Sequence, residues 1–185
     1  MVQEPYSVRE CAQSLLRAIE RCSDDGERLC AEMREPMLRL MERPDLLTLG
    51  VPRQGNNVAV SHYLYFDGQL TIIVFQVPKG KPIQPHDHGV WESLFVYRGK
   101  LDHTVYSRVD DGARPGLADL KVVHSGTLER GDGVVVAPPN DIHGFTALTD
   151  DTYGITVVNG AYKHERHYYN PGEGTYVVRG QRSAR

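Results

Sequence analysis

Cysteine is scarce in this sequence: Cys11, Cys22 and Cys30 are its three cysteines, and all lie near the start. An odd number without a CxxC spacing is not the pattern of a disulfide framework, so we expect reduced thiols and a cytoplasmic location. Cys11 and Cys22 lie in a segment with helical apolar periodicity, which favours packing in a core over nucleophilic chemistry.

Long hydrophobic runs and a strong charge of either sign are also missing. No apolar run approaches the ~20 residues needed to cross a bilayer, and the opening MVQEPYSVRE lacks the apolar centre of a signal peptide. We therefore expect no membrane partner and no secretion. The formal net charge of -3 argues against nucleic-acid binding by bulk charge. The length of 185 residues fits one domain, alone or with a helical extension.

The first fifty residues have helical patterns. Ser7 and Glu10 have the spacing of a capping box, and apolar residues recur along one helical face over 7–22. The turn at 23–26 can cap a second helix. Pro36 is expected to interrupt that helix or to start a new one at its first turn.

The pattern then changes to short β-branched and aromatic runs separated by Gly, Pro, Asp and Asn, with a hairpin signal at Phe66-Asp67-Gly68. Many short strands without helical patterns between them indicate a sandwich or barrel. We predict a helical extension over 1–50 and a mainly β domain over 51–185. The strands are predicted near 57–66, 70–77, 91–98, 101–108, 119–128, 133–137, 143–148, 152–158, 163–169 and 175–178.

The segment 80–99, GKPIQPHDHGVWESLFVYRG, contains a candidate metal site. His86 and His88 are separated by one residue, so on an extended strand their side chains point to the same face. Glu92 adds a carboxylate, and two imidazoles with a carboxylate can hold a divalent metal. A histidine pair alone is also common on solvated strands, and Glu92 could instead form a surface ion pair. One further ligand is needed.

Six other histidines could supply this ligand: His62, His103, His124, His143, His164 and His167. His143 follows an apolar strand and a Pro-Pro-Asn turn, which would hold it on rigid backbone facing a barrel interior. His164 and His167 lie among charges and fit a solvated strand. The sequence does not show which face of its strand carries His103 or His124. The spacing therefore favours His143.

These spacings resemble the two sequence motifs of the cupin superfamily. All fixed positions of the first motif are matched, by Gly80, His86, His88, Glu92 and Gly99. The segment 138–143 is similar to the second motif, with Asn140 in place of its glycine. The resemblance implies a mainly β cupin double-stranded β-helix, that is, a jelly-roll barrel, with an N-terminal helical extension. It also implies one divalent metal ion, held by His86, His88, Glu92 and His143.

Within the cupins the chain is most similar to the cysteine dioxygenase branch, over the helical extension, the strand pair 61–77 and Pro85-His86-Asp87-His88 with Trp91 nearby. This resemblance implies a non-haem Fe(II)-dependent dioxygenase that adds dioxygen to a small organic substrate, a thiol or another compound. Imidazole and carboxylate ligands also suit Mn, Ni, Co, Cu and Zn. Glu92 could act as a general base. No arginine lies between Gln54 and Tyr97, where that branch clamps a substrate carboxylate, so we do not expect cysteine as substrate.

Substrate contacts are less well specified. Aromatic side chains that could line an apolar cavity, or simply pack in the barrel, are Tyr63, Tyr65, Trp91, Tyr97 and Tyr106. Two other functions stay open: a metal-dependent cupin isomerase, lyase or hydrolase, and a cupin that binds a small ligand without catalysis. The resemblance implies a homodimer.

Overall fold

The computed structural model describes residues 5–22, 24–53 and 58–180. Two helices come first, α1 (Val8–Cys22) and α2 (Gly26–Met41), followed by a 3-10 turn over Leu46–Thr48. The predicted capping box begins α1: the Glu10 amide donates to Ser7 Oγ, and the Ser7 amide donates to the Glu10 carboxylate.

α2 is continuous through Pro36, so the prediction of a break or a new helix there is wrong. Proline inside a helix removes one backbone hydrogen bond. The apolar face of α2 is buried on both sides of Pro36, at Met33 and Met37. We attribute the continuity of the helix to this packing, which fixes both halves of α2 on the same surface.

The strands are β1 (Val51–Pro52), β2 (Ser61–Phe66), β3 (Leu70–Val77), β4 (Pro82–His86), β5 (Glu92–Arg98), β6 (Lys100–Arg108), β7 (Leu120–Glu129), β8 (Gly133–Val136), β9 (Ile142–Ala147), β10 (Thr152–Asn159), β11 (Glu165–Asn170) and β12 (Thr175–Gly180). The predicted hairpin is present between β2 and β3, where Asp67 accepts hydrogen bonds from two backbone amides and Gly68 has a positive φ of 89°.

The strands form two antiparallel sheets, in the orders β1-β2-β3-β10-β5-β8 and β12-β11-β4-β9-β6-β7. Four consecutive strands of each sheet, β3-β10-β5-β8 and β4-β9-β6-β7, have the order of a jelly roll. This topology confirms the predicted fold class: a mainly β, cupin-type double-stranded β-helix preceded by helices. None of the helices in the described ranges is long and apolar enough to cross a membrane.

The helices cover the outer face of the first sheet. On β3, Ile72 packs in a core cluster with Leu15 and Met37 of the helices, whereas the next residue, Ile73, packs inside the barrel against Leu94. β3 is therefore buried on both faces and reads as a nearly continuous apolar run. Because helices and barrel share this cluster, the division at residue 50 stays a prediction. Cys11 and Cys22 lie in the same cluster, and this confirms the expected core role of both cysteines.

Two short strands were not predicted, β1 and β4. Pro82 and Pro85 lie in β4, and proline is normally depleted in strand interiors. The expectation that His86 and His88 lie on one extended strand holds only in part, because β4 ends at His86. Residue 57, the start of the first predicted strand, lies outside the described residues.

Candidate metal centre

Three histidines converge at one end of the second sheet. β4 pairs with β9 so that His86 lies directly opposite His143, and His88 follows two residues after the end of β4. The ligand nitrogens of the three rings all lie within 4.8 Å of one another. His86 is 7% exposed, and His88 and His143 are each 1% exposed. The cluster could hold a metal ion, as the sequence predicts for these three residues.

The spacing of the nitrogens fits a single small ion. Nε2 of His88 lies 2.9 Å from Nε2 of His143. Two nitrogens that each bind one ion at about 2.1 Å, at roughly a right angle, would be about 3.0 Å apart. We therefore interpret this close contact as the separation of two ligands of the same ion.

Two of the three rings are oriented by a contact at Nδ1, the ring nitrogen that would not bind the ion. His86 Nδ1 lies 2.8 Å from the carbonyl oxygen of Gln84, and His143 Nδ1 lies 2.9 Å from Nε2 of His103. When Nδ1 carries the proton and donates it in these contacts, Nε2 is left as a free ligand atom. His103 is a buried part of the centre that sequence reasoning did not assign, because the facing side of its strand depends on the pairing of β6 with β9.

Burial keeps the four rings neutral. Desolvation lowers the pKa of His86 to about 4 and that of His103 to about 4. Burial, followed by the charges of neighbouring histidines, lowers the pKa of His88 and His143 well below the usual range. At neutral pH the rings are therefore unprotonated at one nitrogen, which is the form that binds a metal.

Glu92, the first residue of β5, is buried beside two of these rings. Its Oε2 lies 3.1 Å from His88 Nδ1, and its Oε1 lies 3.8 Å from His143 Nε2. The Tyr162 hydroxyl donates a hydrogen bond to Oε2. Burial raises the pKa of Glu92 to about 7, and the hydrogen bond from Tyr162 opposes this shift. Glu92 lies outside the group of three histidines, so its predicted role as a ligand stays a prediction.

Asp141 holds the segment that carries His88. Its Oδ2 accepts hydrogen bonds from the backbone amides of His88, at 2.8 Å, and Gly89, at 2.6 Å. Asp141 precedes His143 by two residues, so one short segment supplies both a candidate ligand, His143, and an anchor for the backbone of another, His88. The sequence motif indicated the histidine but not the carboxylate.

Asp87, between the two histidines of the first motif, is anchored to the next strand along the sheet. It accepts hydrogen bonds from Lys163 Nζ at 2.7 Å, from the His167 amide at 2.9 Å and from His167 Nδ1 at 2.6 Å. Burial opposes ionisation of Asp87, but these hydrogen bonds outweigh it and lower its pKa. His167, expected on a solvated strand, is half-buried in this network, whereas His124 and His164 are exposed and His62 lies on β2, away from the cluster.

Tyr162 lines a cavity of about 410 Å³ and also contacts the centre. The Tyr162 ring lies 5.3 Å from that of His88, and its hydroxyl reaches Glu92. The cavity is lined by Val51, Tyr63, Phe66, Thr71, Ala161 and Tyr162. No periodic pattern in the sequence marks Tyr162, which lies in the loop between β10 and β11.

The five aromatic residues predicted to contact substrate lie in different places. Tyr63 lines the cavity. Trp91 and Tyr97 are buried in the core cluster beneath the helices, and Tyr65 packs against that cluster. Tyr106 packs against the small cluster beside β9 and β11. Of these five residues, only Tyr63 lies at the cavity. A role of all five in substrate binding stays a prediction.

A scan against known protein families finds no match, and no curated protein matches the chain. Among solved structures, the chain is similar to KdgF from Halomonas sp., at 18% identity over 59% of this chain and 86% of that chain, with a TM-score of 0.44. It is similar to an RmlC-like cupin from Shewanella frigidimarina NCIMB 400, at 19% identity over 60% of this chain and 85% of that chain, with a TM-score of 0.45. It is also similar to a recombinant oxalate oxidase in complex with glycolate, at 18% identity over 61% and 56% of the two chains, with a TM-score of 0.43.

Proposed function

We propose that the chain is a mononuclear non-haem iron enzyme that adds dioxygen to a small organic substrate. The observation that carries this proposal is the buried group of His86, His88 and His143, with neutral rings and nitrogens spaced for one ion. Three protein ligands leave coordination positions open, which separates catalytic metal sites from closed structural ones. Fe(II) is the proposed ion; Mn, Ni, Co, Cu and Zn are the alternatives that the same ligands accept.

When bound, a ferrous ion would supply the redox chemistry that allows dioxygen to react with an organic substrate. The chain's own residues hold the candidate histidine ligands in place and orient their rings. Gln84 and His103 fix the rings of His86 and His143 by contacting Nδ1. Asp141 fixes the backbone at His88, so the third ring is placed from its main chain. Such contacts behind the ligands set both metal affinity and geometry.

We assign Glu92 to the support of His88 and to proton exchange. Its Oε2 faces His88 Nδ1, a buried atom that has no hydrogen-bond partner in the described residues and lies 3.1 Å from this oxygen. A small ring rotation would align that N–H with the carboxylate and leave Nε2 for the ion. Oε2 of Glu92 also accepts a hydrogen bond from the hydroxyl of Tyr162, and this contact links the carboxylate to the cavity. In this position Glu92 could take up a proton from a substrate as a general base.

The test combines metal analysis with oxygen uptake. Protein loaded with Fe(II) is screened for oxygen consumption against thiols, diketones and phenolic compounds. We expect uptake with one of these classes, loss of uptake in His86→Ala, and wild-type uptake in His124→Ala, which removes an exposed histidine outside the cluster. Turnover that continues without dioxygen would contradict the proposal and favour a metal-dependent isomerase, lyase or hydrolase. A His86→Ala variant that loses metal but keeps its affinity for the organic compound would favour a non-catalytic binding protein.

We also propose a homodimer located in the cytoplasm. The edge strand β7 supports the dimer, because Val122 and Val123 on it are 51% and 60% exposed. Exposed apolar edge strands are common sites of pairing with another chain. Light scattering of the purified protein at two concentrations gives the oligomeric state, and a monomer at both would contradict this proposal.

A further inference from the structure

Arg166, on β11, is a half-buried cation without an acidic partner in the part of the chain that the structure describes. Its Nε is buried and has no hydrogen-bond acceptor. Its guanidinium carbon lies 4.6 Å from the centre of the Tyr162 ring, so the cation stacks on the residue that joins the cavity to the metal centre. Buried donors without an acceptor are costly and rare in folded proteins. A missing acceptor at this position points to a ligand.

The strand register places Arg166 at the centre. Tyr168 of β11 pairs with His86 of β4, and the Tyr168 ring stacks on His86 at 5.6 Å. Arg166 lies two residues earlier on β11, so it points to the same face as Tyr168. Beyond the end of β4, the Asp87 amide donates to the carbonyl oxygen of His167, so β11 continues beside the segment that carries His88.

A second arginine lies beside the first. Arg179 of β12 is directly opposite Arg166 in the β11–β12 pair, and its guanidinium carbon lies 4.9 Å from the centre of the Tyr168 ring. Directly opposite residues have Cβ atoms about 4.5–5.5 Å apart, and like charges in such a pair destabilise the sheet. The ligand rings are neutral, and the nearby Glu92 carboxylate accepts from Tyr162 and faces His88, without an ion pair to either arginine within the described residues. Two adjacent cations beside the candidate metal centre have the charge and the donors that an anion requires.

We propose that Arg166 and Arg179 form an anion subsite at the mouth of the metal centre, and that the substrate is a small organic carboxylate with an apolar body. The guanidinium fork matches a carboxylate through two parallel hydrogen bonds. Tyr63 and Phe66 line the cavity of about 410 Å³ that would receive the apolar body, with Tyr162 between this cavity and the arginine. The substrate class rests on the proposed function; the binding of a carboxylate at Arg166 does not.

The test compares benzoate with benzamide, which has a similar shape but no charge. Calorimetric titrations use the protein as purified and the protein stripped of metal by a chelator. We expect the wild type to bind benzoate at least about tenfold more tightly than benzamide, since hydrogen bonds to a charged group are involved. Arg166→Gln should remove this preference and Arg179→Gln should reduce it. Arg166→Lys should keep part of it, because the charge remains without the fork.

The control is Arg21→Gln, which removes the same charge from the exposed surface of α1 and should leave benzoate binding unchanged. Thermal unfolding and metal content of Arg166→Gln show whether the variant is folded. Absence of benzoate binding to the wild type, or affinities of Arg166→Gln and wild type that agree within twofold, would overturn the subsite. Benzoate selectivity that depends on Arg166 without oxygen uptake by any carboxylate would support the subsite and contradict the proposed function alone.

Discussion

At the scale of single residues, the candidate centre depends on which ring nitrogen of each histidine carries the proton. A ligand nitrogen must be unprotonated, so the other nitrogen needs a hydrogen-bond acceptor. Gln84 supplies this acceptor for His86 through its carbonyl oxygen, and His103 supplies it for His143 through Nε2. Because His103 must then accept, it has to be neutral, which agrees with the lowering of its pKa to about 4 by burial.

We predict that His103→Ala weakens metal binding by about 10- to 100-fold, the usual effect of removing a residue that orients a metal-bound histidine. Without the acceptor, the His143 ring can adopt the wrong tautomer and a different orientation. His103→Gln, whose side-chain oxygen can accept from His143, should recover part of the affinity. Competition titration with a metal-binding dye measures both variants.

The control for this variant is His124→Ala, which removes an exposed histidine from the neighbouring strand β7. It should bind metal like the wild type. If His103→Ala also does so, His103 has no part in orienting His143.

The cysteine prediction also belongs to this scale. Burial, and to a lesser extent the charge of Glu35, raises the pKa of Cys11 to about 12. At pH 8 about one thiol in ten thousand would then be ionised, and the thiolate is the reactive form. We expect no reaction of Cys11 with Ellman's reagent in the native protein at pH 8 and full reaction in denaturant. Rapid modification of Cys11 in the native state, located by mass spectrometry, would contradict its burial.

At the scale of elements, the turn after β4 is held by a carboxylate from the segment before β9. Asp141→Ala leaves the amides of His88 and Gly89 without their acceptor, and the His88 residue is buried. We expect the free energy of unfolding to fall by about 2 to 4 kcal/mol, because each unsatisfied buried group costs about 1–3 kcal/mol. Urea denaturation of metal-free protein measures the change.

Asp150→Ala is the matched control, since Asp150 pairs with Lys79 on the surface and is 83% exposed. Its effect should be below about 1 kcal/mol, as for other exposed ion pairs. Equal effects of the two substitutions would show that the contacts of Asp141 do not stabilise the turn.

The sequence predicts elements where a local signal is strong. The Ser7–Glu10 capping box and the Asp67-Gly68 turn define their own boundaries, and both are present. β4 was missed because its two prolines are unfavourable in a strand taken alone. Its pairing with β9 and β11 outweighs that local preference, and such pairing cannot be read from residues 82–86 themselves.

At the scale of the whole molecule, the site joins parts of the chain that are far apart in sequence. Motif spacing identifies His86, His88 and His143, the three histidines that the structure brings together, because these candidate ligands occupy recognisable positions in the sequence. It does not identify His103 or Tyr162, whose roles follow from strand register and from the course of a loop. Residues that contact the candidate ligands, such as His103 and Tyr162, can therefore be identified only from the three-dimensional structure.

The buried histidines also affect global stability. Their pKa values are lower in the folded chain, at about 4 for His86 and His103, than the ordinary value of 6.5 in the unfolded chain. Between these values the unfolded state binds more protons, so stability falls as the pH is lowered from about 6.5 to 4. Glu92, with a folded pKa of about 7 against 4.5 ordinarily, acts in the opposite direction and offsets about one histidine. Because four histidines are lowered, at about 2 kcal/mol for each one, metal-free protein should still lose several kcal/mol between pH 7 and pH 5. Urea denaturation at both pH values measures this loss, and equal stability would contradict the neutral burial of these rings.

The most direct test of the centre is the number of metal ions bound by each chain. Wild type, His143→Ala and His124→Ala are loaded with Fe(II) without oxygen, desalted and analysed for metal and protein. We predict one ion per chain in the wild type and in His124→Ala, and almost none in His143→Ala, because two remaining histidines hold the ion too weakly to survive desalting. Equal metal content in His143→Ala and the wild type would contradict a centre built on His86, His88 and His143.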